Sequence, residues 1–394
     1  MTALEPAGIS KKLLWTLTLT AAFTVGNIYI SQPLLGQVAT AFGQSPSKAG
    51  MIPALAQVGY VLALILVAPL GDVLSPRRLL LWLLGGAGVT LSLSAFLTSF
   101  PLFCLASLGV GLTAVQAQVA LPYIAAHSLE SERSKNFGVF MSACLTGVLL
   151  SRTLSGYLGQ HLPSWRGVYL VWGIAMLLLA RVVWQFLPET ASSTSMGYKA
   201  LVGSLATMVR ERRELRSIAT TGALVYGALS VFWASLAFYL GGPTFRLGTD
   251  VVGAFGLIGA GGALASGLVG RWLDRVSANT VLLGSVGLMI FSFLGMGLAG
   301  SSLLFLTVAV VLLDMGAQAA SISNQSQIYR LYSDAQSRLN TIYKVFYFTG
   351  GAAGSALSAL AWQRFGWWGV CLTGAAFLAL AALNVVNSQR RIAP

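Results

Sequence analysis

The chain has 394 residues, of which 56% are hydrophobic and only 9% charged, and its mean hydropathy is +0.77. An ordinary soluble domain carries about 25% charged residues, so this composition cannot furnish a water-facing surface and the bilayer must be the solvent. The formal net charge of +13 does not mark a nucleic-acid binder, because the basic residues lie in short loops and form no domain of their own.

Apolar stretches long enough to cross a hydrocarbon core of about 30 Å recur along the whole sequence. Twelve spans are predicted in chain order: 12 to 36, 47 to 71, 78 to 98, 102 to 125, 136 to 159, 166 to 187, 217 to 240, 250 to 270, 279 to 299, 302 to 326, 339 to 361 and 367 to 387. They are continuously apolar and do not alternate as barrel strands would, so they are read as helices that satisfy their own backbone groups in lipid. The first apolar run is too long for the core of a cleavable signal and is expected to remain in the membrane. Cys104, Cys144 and Cys371 all fall inside spans and read as small packing residues, not bridges or metal ligands; no cofactor is expected.

With these spans, seventeen Lys or Arg fall in segments on the amino-terminal side of the membrane and four, Lys48, Arg166, Arg246 and Arg364, on the other. That asymmetry predicts a multi-pass inner-membrane protein with both termini in the cytoplasm. The longest polar interruption, from Pro188 to Arg216, divides the spans six and six, giving an amino-terminal bundle (1–187), a cytoplasmic linker with room for one surface helix (188–216) and a carboxy-terminal bundle (217–394). The halves repeat: Asp72 matches Asp274, and Thr146, Gly147, Leu154 and Ser155 match Thr349, Gly350, Leu357 and Ser358. A six-helix unit used twice is the arrangement of transporters that rock two bundles about a midplane site. The fold class expected is all-α and polytopic, twelve transmembrane helices in two pseudo-symmetric bundles.

Two motifs carry a family resemblance. Ala68-Pro-Leu-Gly-Asp72-Val-Leu-Ser-Pro-Arg77-Arg78 resembles the G-x-x-x-D-R-x-G-R-R loop between the second and third helices of the major facilitator superfamily, with Ala68, Val73, Ser75 and Pro76 departing from it. The second half offers a better copy in Gly270-Arg-Trp-Leu-Asp274-Arg275. The resemblance implies that these Asp residues cap and pair across cytoplasmic helix ends and gate the cavity. In the fifth span Gly138, Gly147, Ser151, Arg152, Ser155 and Gly156 fall on the register G-x8-G-x3-G-P-x2-G-G, which is similar to the antiporter motif of drug and metabolite exporters. Ser151, Arg152 and Ser155 stand where that motif has Gly, Pro and Gly, so what survives is a close-packing helix with an arginine in its middle.

Three ionisable residues lie well inside spans: Arg152, Asp314 and Lys344. A charge near the bilayer centre costs at least about 2.5–3.5 kcal/mol, so each should face a cavity or a partner. Asp314 is the carboxylate nearest mid-membrane and the first choice for proton coupling, with a static ion pair to Arg152 or Lys344 and a substrate contact as the alternatives. Arg152 cannot usefully lose its proton and suits a counter-charge or an anionic group of the substrate. Lys344 reads as a cavity residue or one that snorkels to the surface. Around Asp314, the residues Gln318, Ser321 and Gln325 recur at helical spacing, with Asn324 beside them. Asn27, Tyr29 and Gln32 in the first span, Gln57 in the second, Gln116 and Gln118 in the fourth, and Tyr226 and Trp233 in the seventh complete the candidate substrate cavity. In the family the first, fourth, seventh and tenth helices line that cavity.

The reading reached is a monomeric secondary transporter of a small organic solute, coupled to protons, with antiport favoured and uniport or proton symport the alternative. A non-transporting membrane sensor or scaffold is the reading from a different class. No HExxH, phosphate-binding Gly-Lys-Ser/Thr loop or paired metal-ligand pattern appears, which disfavours a membrane enzyme or an ATP-driven pump.

Overall fold

The computed structural model describes residues 8–190, 197–259, 276–298, 301–331 and 336–390, and these are helical nearly throughout. In chain order the helices are α1 (Lys11–Gly26), α2 (Leu35–Ala41), α3 (Pro46–Ala49), α4 (Met51–Leu66), α5 (Leu70–Val73), α6 (Pro76–Ser94), α7 (Phe100–Leu112) and α8 (Gln116–His127). They continue with α9 (Glu130–His161), α10 (Arg166–Phe186), α11 (Tyr198–Glu211), α12 (Arg213–Gly241), α13 (Thr249–Ile258), α14 (Ala278–Leu298), α15 (Leu303–Leu331) and α16 (Gln336–Arg390). Eight helical stretches among the described residues are long and apolar enough to cross a membrane. The last of them holds two crossings, because Gly366 adopts φ +59, a left-handed conformation that turns the chain back. α1 with α2, and α6, supply further apolar helical stretches, and α13 is a shorter apolar helix whose continuation lies outside the described residues.

Several starts are written locally. Ser10, Ser45 and Ser75 cap α1, α3 and α6 by accepting the backbone N–H three residues on, and Pro46 and Pro76 occupy the first turn, where no N–H is needed. Trp82, Leu298 and Leu304 are 81%, 79% and 76% exposed. Apolar side chains that bare are at home only where the surroundings are lipid.

Where the sequence suggested unbroken spans, the structure interrupts three among the described residues, the second of them between Leu66 and Leu70, where α4 gives way to α5. Between α1 and α2 the chain makes successive turns in which Tyr29, Gln32 and Leu34 donate to carbonyls three residues back. Pro33 is the cause: it has no N–H for the helical ladder and its ring obstructs the preceding turn. The fourth span breaks between Leu112 and Gln116, dividing α7 from α8.

The two halves repeat their contacts as well as their sequence. A Cβ on Gly147 in α9 would run into the Ala22 carbonyl of α1, and one on Gly350 in α16 into the Ala223 carbonyl of α12. Ser155 Oγ donates to the Ile30 carbonyl at 2.5 Å, and its counterpart Ser358 Oγ donates to the Val231 carbonyl at 2.6 Å. Ala234 stands in the second half where Pro33 stands in the first, so α12 runs through without a break.

The connection between the halves carries α11, whose Leu201 and Met208 are buried. Tyr198 ties its start to the first half through a bond to the Leu66 carbonyl at 2.8 Å.

Candidate translocation site between the two halves

The halves meet tightly at one end. There α9 lies on α13 at Gly156 and Gly253, where a Cβ on Gly156 would sit 2.7 Å from Gly253 Cα. Hydroxyls lock the crossing: Thr249 Oγ1 donates to the Gly156 carbonyl and Thr153 Oγ1 to the Gly253 carbonyl, both at 3.0 Å. The pseudo-symmetric crossing of α4 on α16 is as close, with Gly50 against Ala359 and Gln57 Nε2 donating to Ser355 Oγ at 3.0 Å.

At the opposite end, the one that carries the start of the chain and α11, the halves part. A cleft of about 520 Å³ opens between Asp72, Gln118 and Phe137 of the first half and Tyr329, Arg338 and Asn340 of the second, with Leu201 and Leu205 of α11 at its rim. Gln118 Nε2 donates to Tyr60 OH at 3.4 Å within this wall. The structure is therefore closed at one end and open at the other.

Between cleft and closed end lies a polar centre. Arg152 of α9 is 6% exposed, and its Nε donates to Gln32 Oε1 of the broken first span at 2.8 Å. Its guanidinium lies 4.0 Å from the Trp233 ring centroid and 4.7 Å from that of Tyr29. Tyr29 OH and Tyr226 OH share a hydrogen bond of 2.8 Å across the two halves, and Tyr226 stacks on Tyr347 with ring centroids 3.9 Å apart. Asp314 of α15 faces Arg152 and Trp233, yet no ion pair closes. Its carboxylate and the Trp233 Nε1 that approaches it are buried together, without a hydrogen bond of ordinary length between them. Asp314 Oδ2 rests on the backbone of Gly259, where a side chain would displace it.

Other predicted residues fall elsewhere. Asn27 turns into its own half, its Nδ2 3.4 Å from Met176 Sδ. Gln116 is fully buried, with neither amide atom partnered. Asn324 lines a separate pocket inside the second half with Ser217, Thr221 and Arg330. Gln325 bonds along its own helix to Ser321, and Gln318, a turn beyond Asp314, is partly buried. Lys344, also partly buried, faces Cys144 of α9 and not the carboxylate.

At the open end Arg77 donates to the Trp184 carbonyl at 2.5 Å, Arg78 pairs with Glu189, and Asp72 faces Arg338 of the other half. Gly270, Asp274 and Arg275 lie outside the described residues. Of the fifth-span motif, Gly147, Ser151, Ser155 and Gly156 pack against neighbouring helices, whereas Gly138 has nothing within 4 Å. Tyr347 was not among the predicted residues, although it lies one helical turn from Lys344.

Two quasi-equivalent helical halves, joined at one end, parted at the other and holding a cation and a carboxylate at depth between them, define a multi-pass membrane transporter. The chain belongs to the Major Facilitator Superfamily, whose family model matches residues 17–300. It is 37% identical to the uncharacterized transporter YgaY of Escherichia coli O157:H7 over 369 residues, 93% of each chain. Its fold is similar to that of the nucleoside transporter NupG (TM-score 0.79, 14% identity, covering 95% of this chain and 99% of that one). It is likewise similar to that of a bacterial homolog of the human lysosomal transporter Spinster (TM-score 0.76, 15% identity, covering 97% and 98%).

Proposed function

We propose that this protein is a proton-coupled secondary transporter of a small organic solute, working by alternating access, with Asp314 taking up and releasing the proton and Arg152 as its counter-charge. The observation that carries this reading is the pair itself: a cation on one half facing a carboxylate on the other, at the level where the interface changes from closed to open. Protonating Asp314 cancels the attraction between the halves at that level, so a proton biases their relative position. The charge asymmetry of the loops supports an inner-membrane location with both termini, and the open end of the cleft, on the cytoplasmic side.

The small-residue motif of α9 supports exchange of proton for solute, that is, efflux by antiport. Symport is supported by a different observation: among the described residues no carboxylate closes an ion pair with Arg152. Purified protein in vesicles with an imposed pH gradient separates the two: antiport drives solute against the proton flow and symport with it. Asp314→Asn should abolish accumulation against a gradient while equilibration persists. Undiminished gradient-driven accumulation by that variant removes Asp314 from the mechanism.

A further inference from the structure

A guanidinium at this depth calls for a full counter-charge, and Arg152 touches none. Its fixed contacts are one amide oxygen and two ring faces, none of which carries a full negative charge. Among the described residues one carboxylate faces it, Asp314, which closes no ion pair with it and is approached by the Trp233 indole. The rings nearest the pair are Tyr29 and Trp233, whose faces the guanidinium covers, and the mutually stacked Tyr226 and Tyr347, an aromatic neighbourhood that suits a planar apolar body better than a hydroxyl-rich one.

Resting on the transport reading above, we infer that the solute is an organic monoanion with a planar apolar body, whose carboxylate replaces Asp314 as the counter-charge of Arg152. The charge balance then fixes the coupling. With Asp314 ionised the site is neutral. Adding an anion leaves a net negative charge at depth, and one proton from the medium, bound to the Asp314 carboxylate, restores neutrality. Anion and proton therefore occupy the site together and cross in the same direction. An organic cation would face Arg152 and raise the net charge, and a neutral solute would add no partner for the guanidinium beyond the Asp314 that already faces it. Among the described residues, the titratable or charged groups facing Asp314 are Arg152 from α9 and Tyr347 from α16; α12 presents it with the Trp233 indole, and the backbone of Gly259, just past α13, lies against it.

The test compares three probe classes on the full chain in vesicles and in detergent: benzoate, 4-hydroxybenzoate and phenylacetate; benzamide; and benzylamine. Calorimetric titration in two buffers of different ionisation enthalpy counts protons. About one proton should be taken up per carboxylate bound, with affinity rising about tenfold per pH unit of acidification while Asp314 starts ionised. Asp314→Asn should bind the carboxylates without proton uptake, and Arg152→Gln should lose them while still unfolding in one cooperative transition. Transport of benzamide or benzylamine with none of the carboxylates overturns this inference and leaves the transport reading standing. Carboxylate binding with no proton uptake also overturns it, and flux of none of the three classes counts against both.

Discussion

Gly156→Ala is the sharpest perturbation of the closed end. The new methyl would meet the Thr249 carbonyl and sit 2.7 Å from Gly253 Cα and 2.9 Å from Gly253 N. Every one of these is a backbone atom, so no rotamer change relieves the overlap and α13 must back away by about 1 Å to reach ordinary contact. Overpacking of this kind costs about 1–3 kcal/mol, and the retreat also stretches the two 3.0 Å hydroxyl–carbonyl bonds beside it. Because the penalty falls only on the conformer closed at this end, the ratio of the two conformers should shift by about 5- to 150-fold toward the one in which the cleft is shut. Phe137, which lines the cleft and is 47% exposed, gives the readout. With Cys104, Cys144 and Cys371 replaced, a Phe137→Cys protein is labelled by a membrane-impermeant maleimide from the open side, and the rate should drop when Gly156→Ala is added. Gly138→Ala, on the same helix with nothing within 4 Å, is the control and should leave the rate alone. Equal labelling rates for the Gly156 variant and its parent would refute the idea that this crossing holds the cleft open.

Two further outcomes follow from the same geometry. Ser155→Ala leaves the Ile30 carbonyl buried in a segment with no helical ladder to take it up, and should cost about 1–3 kcal/mol in thermal unfolding. Ser358→Ala made together with Ser235→Ala, whose hydroxyls bond each other, should cost less than half as much, since the Val231 carbonyl lies in an unbroken helix; equal losses contradict the argument. Asp72→Asn removes an exposed attraction to Arg338 across the cleft. Its effect on conformer balance should stay within about 1 kcal/mol and speed labelling at Phe137→Cys, opposite in sign to Gly156→Ala; slowed labelling contradicts it.

The sequence by itself determined what depends on depth and repetition. Continuous apolar runs fixed the number of crossings, because a bilayer admits a helix only of a certain length. The 203-residue offset between Ser155 and Ser358 foretold that one helix crossing is built twice, and the places of Arg152 and Asp314 within their spans put both charges inside the membrane. Which way each side chain turns was decided by tertiary structure. In a soluble helix the apolar stripe marks the inward face, but in lipid every face is apolar and the pattern carries little directional signal. Hence Asn27 and Tyr29, two residues apart, point respectively to Met176 in their own half and to Tyr226 in the other. Hence too Arg152 contacts Gln32 and two rings, and Asp314 closes an ion pair with neither Arg152 nor Lys344. Pro33 was visible as a helix breaker, but that the freed carbonyl of Ile30 would be taken up by Ser155, at a position where the resembling motif has glycine, depended on how closely α9 could approach, and that is set by the packing of Gly147 and Ser151 against α1.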